Sequence, residues 1–254
     1  MRTIAITNNK GGSGKTTTTV SLASAFAERG LRILVVDLDP QGSATTWLGG
    51  REAAIGLAEY SAGGIRVPNL VMTTTAPGVD LIPTTPSLVP PDDRSRTDTG
   101  LALIRGFARL PSYWDLVLID TPPTVGYLSL AALVASDWVV IPVEPSALGM
   151  PGVASVMDSI GRARLHVNRK LKLLGIVICR VKATNHTREV VERLRTEFGE
   201  AVLEQSVREA VRIAEAPALR QPITVYAPKS PVANEYRAVA AELLERLGDL
   251  SDGD

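Results

Sequence analysis

The sequence predicts an α/β fold in which a doubly wound, mostly parallel sheet carries helices on both faces. Short apolar runs rich in β-branched residues alternate with longer stretches of helical spacing along most of the 254 residues. Runs buried on both faces are typical of parallel strands, and strand–helix alternation implies right-handed crossovers. The composition, 45% hydrophobic and 21% charged, is that of a globular domain. We therefore expect one domain over residues 1–254.

The individual elements follow from these runs. The predicted strands are residues 3–7, 32–37, 79–83, 115–120, 138–143 and 171–178. The predicted helices are residues 15–29, 97–109, 126–135, 150–165 and 187–198, and an apolar helical face over 232–247 closes the core. Turn residues such as Gly63-Gly64 and Pro90-Pro91 predict a loop-rich lobe over residues 49–98. The acidic segment 249–254 is expected to be a disordered tail.

Composition excludes several classes of protein. The segment MRTIAITNN turns polar after a few residues, unlike a secretory signal, and no later run approaches the roughly 18 apolar residues that span a bilayer. Cys179 is the one cysteine, which excludes an internal disulfide and a CxxC metal site within one chain. We expect a cytoplasmic protein.

The segment NNKGGSGKTTTT, residues 8–19, lies where the first predicted strand passes into the first predicted helix. It nearly fits the phosphate-loop pattern G-x-x-x-x-G-K-[ST], although Asn9 stands in place of the first glycine. Glycines let the backbone curl so that N–H groups point at phosphate oxygens, helped by the positive end of the helix. Lys15 is expected on the β- and γ-oxygens and the Thr16 hydroxyl on Mg²⁺. The predicted loop contacts are Gly11, Gly12, Ser13, Gly14, Lys15, Thr16 and Thr17.

Carboxylates follow two other predicted strands. Asp120 ends DLVLID, and Asp37 and Asp39 lie where another strand runs into VVDLDPQG. Ligands bind beyond the carboxyl ends of parallel strands, so Asp120 is placed to face Mg²⁺, usually through water. Asp37 and Asp39 share one face of their strand and can look into the same cleft. The alternative for each aspartate is a helix cap.

Lys10 is a second lysine in the phosphate loop. Lys15 already serves the bound phosphates, so Lys10 has no evident place on the same nucleotide. We expect it to reach the nucleotide of another subunit and to act as an arginine finger does, placing positive charge on oxygens that gain charge in the transition state. The alternative is a solvated surface lysine.

Three motifs, KGGSGKTT (10–17), VDLDPQG (36–42) and LIDTPP (118–123), together resemble the ParA/Soj family of partition ATPases, within the deviant Walker A class of P-loop ATPases that also holds MinD and nitrogenase iron protein. Residues 211–244 are similar to the family's carboxyl-terminal pattern, and the resemblance is weak between about 49 and 110. It implies an ATP-dependent sandwich dimer in which Lys10 contacts the partner's nucleotide and Asp39 positions the attacking water. Thr16, with Asp120 and Asp39 through water, would surround Mg²⁺. Adenine would lie near residues 179–182 and the loop at 216–217, with Pro217 among its contacts.

The resemblance also implies a client for this ATPase. The ATP-bound homodimer would bind double-stranded DNA without sequence preference, and a centromere-binding partner of the ParB type would stimulate an ATPase that is weak alone. Between Arg162 and Arg195 lie ten Lys and Arg against two Glu, an excess of eight positive charges suited to phosphate contacts. For each of the six arginines proposed below as DNA contacts, a role as a solvated surface charge is an equally good explanation. The DNA-binding candidates are Arg188, Arg193, Arg195, Arg208, Arg212 and Arg220.

The predicted function is therefore partition of chromosome or plasmid DNA by a nucleoid-associated ATPase. A MinD-like membrane switch needs a basic amphipathic terminal helix, whereas ERLGDLSDGD is acidic, so no membrane partner is expected. Only Met1 and Arg2 precede the first strand, so no helix-turn-helix domain is expected there. Another cargo-positioning ATPase, or a metabolic enzyme such as a dethiobiotin-synthetase-like ligase, is the alternative.

The sequence departs from the family's pattern beside the expected adenine site. Arg180 and Lys182 stand where relatives often have a methionine and an acidic residue, and Glu209 stands where they often have a basic one. These departures leave the base contacts open.

Overall fold

A computed structural model describes residues 1–124, 126–146 and 149–249, so the predicted tail lies outside the described residues apart from Asp249. In these residues one sheet of eight strands has the order β3-β4-β2-β5-β1-β6-β7-β8. The strands are β1 Arg2–Ile6, β2 Ile33–Asp37, β3 Met72–Thr73, β4 Val79–Ile82, β5 Leu116–Asp120, β6 Trp138–Val143, β7 Lys172–Val181 and β8 Val202–Arg208. Every neighbouring pair is parallel except β3 and β4, which confirms the predicted doubly wound, mostly parallel sheet.

Helices cover both faces of the sheet. They are α1 Lys15–Ala27, α2 Ser43–Trp47, α3 Leu57–Ser61, α4 Val67–Leu70, α5 Asp93–Arg109, α6 Tyr127–Ala135, α7 Gly149–His166, α8 Asn185–Phe198, α9 Val211–Glu215, α10 Ile223–Tyr226 and α11 Pro231–Asp249. On one face α1, α2, α10 and α11 enclose a core, and on the other α3, α5, α6, α7 and α8 enclose a second core. No helix in the described part of the chain is long and apolar enough to cross a membrane.

The central strands form because their side chains are apolar on both faces. In β5, Leu116 and Leu118 enter the core under α1, while Val117 and Ile119 enter the opposite core, as the two-residue period of a strand requires. All four are almost fully buried. Burying one such side chain contributes about 1.5–3 kcal/mol to the stability of the fold, so a strand that buries side chains on both faces is stabilised from both sides.

The structure differs from the sequence prediction mainly at the edges of the sheet. β8 was not predicted, because Glu204, Gln205 and Ser206 interrupt its apolar pattern where the strand has a neighbour on one side only. Residues 49–98 were expected to be loop-rich, and they contain the short α3 and α4, the two-residue β3, and β4. α5 begins at Asp93 rather than at 97, because the Asp92 carboxylate caps it by accepting a hydrogen bond from Ser95 N at 2.8 Å.

Candidate functional site

Strand register brings the predicted motifs to one edge of the sheet. β5 lies between β1 and β2, and Asp120 is level with Ile6 on one side and with Asp37 on the other. The carboxyl ends of these parallel strands therefore place the loop at 7–14, Asp37 and Asp120 side by side. A cavity of about 500 Å³ opens at this edge.

The phosphate loop owes its shape to two of its glycines. Gly12 has φ 74° and Gly14 has φ 90°, both in the left-handed region that glycine adopts without a steric cost. Gly14 also packs closely, since a Cβ there would lie 3.6 Å from Cys179 Cβ. Ser13 is buried, and its Oγ has no hydrogen-bond partner among the described residues. An unsatisfied buried hydroxyl in a curled loop fits a phosphate oxygen as its partner.

Lys15 lies inside the site, with 7% of its surface exposed. Its Nζ donates to the Lys10 carbonyl at 3.2 Å. Burial lowers the pKa of Lys15, and the negative charges of Asp120 and Asp39 act in the opposite direction. A triphosphate would favour the protonated lysine further, which is the chemistry expected of a phosphate-binding side chain.

Asp120 and Thr16 form the pair expected to hold magnesium. The Thr16 hydroxyl donates to Asp120 Oδ2 at 2.7 Å, and the Thr19 hydroxyl donates to Oδ1 at 3.2 Å. Burial, and then the neighbouring carboxylate of Asp37, raises the pKa of Asp120 to about 8. A divalent cation beside this carboxylate would restore its ionised form. Among the described residues no three His, Cys, Asp or Glu side chains form a metal cage, which agrees with Mg²⁺ held by few protein groups plus phosphates and water.

Asp37 and Asp39 have separate roles in the structure. The Asp37 Oδ2 accepts from both the backbone N and the hydroxyl of Thr45 at 2.7 Å, and Oδ1 accepts from Asp39 N at 3.1 Å. Asp37 therefore holds the first turn of α2, whose N-cap residue is Gly42. Neither Asp37 nor Asp120 lines the cavity, but Asp120 is joined to it by the hydroxyl of the lining residue Thr16. Burial raises its pKa to about 6. Asp39 does line the cavity, and its Oδ1 accepts from Gln41 N at 3.0 Å.

Lys10 is turned out of its own cavity. Its Nζ contacts Glu144 Oε2 at 3.4 Å and Ser146 Oγ at 3.0 Å, and Lys10 is not among the cavity's lining residues. Its side chain is 27% exposed, so it is neither buried nor fully solvated. Of the two loop lysines, Lys15 lines the cavity of its own chain and Lys10 points away from that cavity.

The far wall of the cavity is mostly apolar and suits a base. Of the residues expected near adenine, Cys179, Arg180 and Pro217 line the cavity, whereas Lys182 and Ala216 do not. Several further lining residues are not predicted from the sequence, because only the fold brings α2, α11 and the segment from β8 to α9 to one cavity. Those residues are Trp47, Val207, Glu209, Ala210, Ile213, Ala214 and Tyr236.

The residues that depart from the family's pattern beside the expected adenine site contact one another. Arg180 Nη2 lies 3.1 Å from Glu209 Oε1, and Lys182 Nζ lies 3.6 Å from Glu209 Oε2. Basic residues at 180 and 182 are thus matched by an acidic residue at 209. Arg180 and Lys182 together outnumber Glu209 by one positive charge, and Arg180 has a second acidic neighbour in Glu144, whose Oε1 lies 3.7 Å from Arg180 Nη1.

The six arginines expected to bind DNA are all exposed, and they lie on three parts of the chain. Arg208 and Arg212 line one groove with Lys229, and Arg208 also pairs with Glu235. The Arg220 carbonyl accepts a hydrogen bond from the Thr75 hydroxyl. The other three, Arg188, Arg193 and Arg195, lie on α8.

The basic segment 162–195 is also divided. β7 spans ten residues, about 33 Å, between its two halves. Arg169 and Lys170 lie directly before β7, at the amino ends of the strands, and Arg162 and Arg164 lie in the last turns of α7 that lead to them. On α8 the three arginines are balanced by Glu189, Glu192 and Glu197. The local excess of eight charges is therefore not a single basic surface.

Comparison with known proteins agrees with this site. The family model described as "AAA domain" matches residues 1–173. The chain is 39% identical to the "Chromosome-partitioning ATPase Soj" of Thermus thermophilus, over 97% of both chains. It is 35% identical to the "Sporulation initiation inhibitor protein Soj" of Bacillus subtilis, over 94% of this chain and 97% of that one. The chain belongs to the Soj/ParA family of P-loop partition ATPases.

Solved relatives carry the expected ligands. A structure of cobyrinic acid a,c-diamide synthase from Mycobacterium smegmatis with bound ADP and magnesium has a TM-score of 0.81 at 29% identity, covering 98% of this chain and 96% of that one. A second structure of that protein, with an ATP analog and magnesium, has a TM-score of 0.80. This chain is accordingly an ATPase that uses ATP and Mg²⁺.

Proposed function

We propose that the chain is a switch ATPase that dimerises with ATP, binds DNA without sequence preference in that form, and segregates chromosome or plasmid DNA with a ParB-type partner. The observation that carries the proposal is that the two loop lysines lie on different sides of the cavity wall, one inside the cavity and one outside it. Lys15 lies in the cavity, and Lys10 lies outside it on a charged contact that a second protomer's phosphates can replace. A lysine held outside its own site is available to another.

The proposed mechanism assigns each residue a task. Lys15 and the loop from Gly11 to Thr17 bind and orient the phosphates, while Pro217 borders the base. Thr16, Asp120 and Asp39 would hold Mg²⁺, which would supply positive charge to the phosphate oxygens. Asp39 also orients the attacking water. Lys10 of the partner protomer stabilises charge in the transition state, a contribution worth about 10³–10⁵ in rate where it has been measured for arginine fingers.

DNA binding is proposed to follow dimerisation. Each protomer contributes a few exposed arginines, and pairing two protomers doubles the number that face one DNA duplex. Each phosphate contact adds to the logarithm of the binding constant, so doubling the number of contacts greatly increases the affinity for DNA. Relatives named as chromosome-partitioning ATPases support this role. A cytoplasmic, nucleoid-associated location and stimulation of hydrolysis by DNA and partner are part of the same proposal.

Three substitutions test the proposal by gel filtration with ATP. Lys15→Ala abolishes nucleotide binding, and Lys10→Ala binds nucleotide but does not form an active dimer. Asp39→Ala binds ATP without hydrolysing it and accumulates as a dimer on DNA. An Asp39→Ala chain that stays monomeric at saturating ATP contradicts the assignment.

A metabolic ligase is the second candidate, because one solved relative at 29% identity is named as a diamide synthase. An enzyme of that type uses ATP to activate a carboxylic acid, so its turnover requires an acid substrate. ATP hydrolysis measured with nonspecific duplex DNA, and separately with small acids, distinguishes the two functions. Stimulation by DNA and none by acids favours the partition switch.

A further inference from the structure

A network of charged side chains joins Lys10 to the base-side wall of the cavity. Glu144 follows β6 and contacts Lys10 Nζ through Oε2 at 3.4 Å, while Arg180 Nη1 lies 3.7 Å from its Oε1. Arg180 Nη2 reaches Glu209 at 3.1 Å, and Glu209 also pairs with Lys182. Lys10 and Arg180 thus share one anionic partner.

Arg180 is fixed at the place where this network meets the cavity. It lines the cavity, and its Nη1 donates to the Gly12 carbonyl at 3.4 Å. Its backbone has φ 57°, in the left-handed region that side chains other than glycine rarely adopt. Surrounding contacts rather than local preference hold such a residue in place, and strained residues of this kind concentrate at ligand sites and switches.

Glu144 is the charged partner of Lys10, and Ser146 is its second partner, with Oγ 3.0 Å from Lys10 Nζ. The side chains of Lys10 and Glu144 are 27% and 21% exposed, so solvent and salt screen their attraction less than that of a surface pair. A dimer that uses Lys10 on the partner's nucleotide must first break this contact. A more stable contact therefore raises the ATP concentration at which the dimer forms.

We propose that Glu144 restrains Lys10 within its own protomer and that Arg180, by sharing the same carboxylate, weakens that restraint and so sets the ATP threshold for dimerisation. The inference rests on the proposed function, in which Lys10 contacts the nucleotide of a second protomer. Glu144 and Arg180 are positioning residues: they act through Lys10.

The first test is Glu144→Gln, which keeps the size of the side chain and removes its charge. Lys10 is then released, and the ATP concentration for half-maximal dimerisation, measured by analytical ultracentrifugation, falls about 10-fold, equivalent to ~1.4 kcal/mol. A second readout needs no nucleotide. Acylation of Lys10 by an amine-reactive reagent, followed by mass spectrometry of the free protein, becomes faster in the variant.

The second test, Arg180→Gln, moves both readouts the other way. Glu144 is left to Lys10 alone, so Lys10 acylation slows and dimerisation needs more ATP. Lys182→Gln is the matched control. It removes one positive charge, as Arg180→Gln does, and the lysine that it replaces contacts Glu209 but not Glu144. Its Lys10 acylation rate and its dimerisation threshold stay within about twofold of the wild type.

The outcomes separate the inference from the proposed function. If the wild type dimerises with ATP while Glu144→Gln leaves both the threshold and Lys10 acylation unchanged, the restraint does not exist and the proposed function stands. If Arg180→Gln and Lys182→Gln behave alike, the role given to Arg180 is wrong. A wild-type chain that remains monomeric with ATP overturns the proposed function, and the inference with it.

Discussion

Gly11 and Gly12 of the phosphate loop have equal space around them but different backbone conformations. A Cβ added at either would meet no atom within 4 Å, yet only Gly12 has a positive φ, 74°. We therefore expect Gly12→Ala to cost about 1–2 kcal/mol through backbone strain alone and to weaken ATP binding about 10-fold as the loop relaxes. Gly11→Ala is the control for stability and leaves the free energy of unfolding almost unchanged, since φ at Gly11 is not positive. Equal losses in the two variants would mean that free space, not conformation, limits this loop.

Asp120 makes the nucleotide-free fold sensitive to pH. Its pKa is raised from 3.8 to about 8 in the folded chain, so the folded state holds its proton more tightly than the unfolded state does. The free energy of unfolding therefore falls as pH rises from about 5 to 8, and Asp37, with a pKa near 6, acts in the same direction.

Asp120→Asn removes the contribution of Asp120 to this dependence by making that side chain neutral at every pH, and the smaller contribution of Asp37 remains. We expect the variant to be more stable than the wild type at pH 8 by roughly 2–5 kcal/mol, since each pKa unit corresponds to about 1.4 kcal/mol. Urea unfolding at pH 5.5 and pH 8 measures the difference. The exposed Asp158→Asn serves as the control and leaves the slope unchanged. A variant as pH-dependent as the wild type would exclude Asp120 as the source.

The residues of the site divide into those that the sequence reveals and those that only packing reveals. Lys15, Thr16 and Asp120 could be predicted because their chemistry fixes their spacing relative to a glycine loop and a strand end. Glu144 could not, because nothing in its local sequence shows that it meets Lys10, a contact between residues 134 positions apart. Asp37 and Asp39 look equivalent in VDLDPQG, and only the contacts of Thr45 distinguish the anchor of α2 from the residue in the cavity.

At the scale of elements, α3 packs against α5 at a glycine. A Cβ on Gly106 would lie 2.4 Å from the Leu57 carbonyl oxygen, a backbone atom that cannot move aside cheaply. We expect Gly106→Ala to destabilise the chain by about 1–3 kcal/mol through overpacking, measured by urea unfolding.

Gly161→Ala on α7 is the matched control for this substitution. Gly161 is also helical, but it is exposed and a Cβ there would meet nothing within 4 Å. Alanine at such a site stabilises a helix by up to about 1 kcal/mol. The two variants should therefore differ in sign. If both stabilise the chain, the close approach of α3 and α5 is wrong.

The elements that the sequence predicts well are those decided by local pattern. The six predicted strands all exist, because β1, β2 and β4 to β7 are apolar on both faces or nearly so. β8 escapes this criterion, since an edge strand needs only one neighbour and tolerates Glu204 and Gln205. Helix starts were the least accurate boundaries: Thr184 caps α8 by accepting from Thr187 N, so the helix begins at Asn185 rather than at 187.

At the scale of the whole molecule, exposed arginines lie at opposite ends of the parallel strands. Arg164, in the last turn of α7, lies before β7, whereas Arg212 follows β8 beside the cavity. Both side chains are exposed and carry the same charge. In the proposed function a dimer presents the DNA surface, so the two arginines form a matched pair that tests which ends of the strands bind DNA.

We expect Arg212→Ala to weaken the DNA binding of the ATP-bound chain and Arg164→Ala to leave it unchanged. Each protomer of the dimer loses one phosphate contact, so the slope of log affinity against log salt should fall by about 2 in magnitude. Fluorescence anisotropy with a labelled duplex at several salt concentrations measures the slope, and two duplexes of unrelated sequence should give the same change, because phosphate contacts carry no sequence information. The reverse result, a loss with Arg164→Ala alone, would move the DNA surface to the far edge of the sheet. Dimerisation could then not control DNA affinity by bringing the cavity edges of two protomers together.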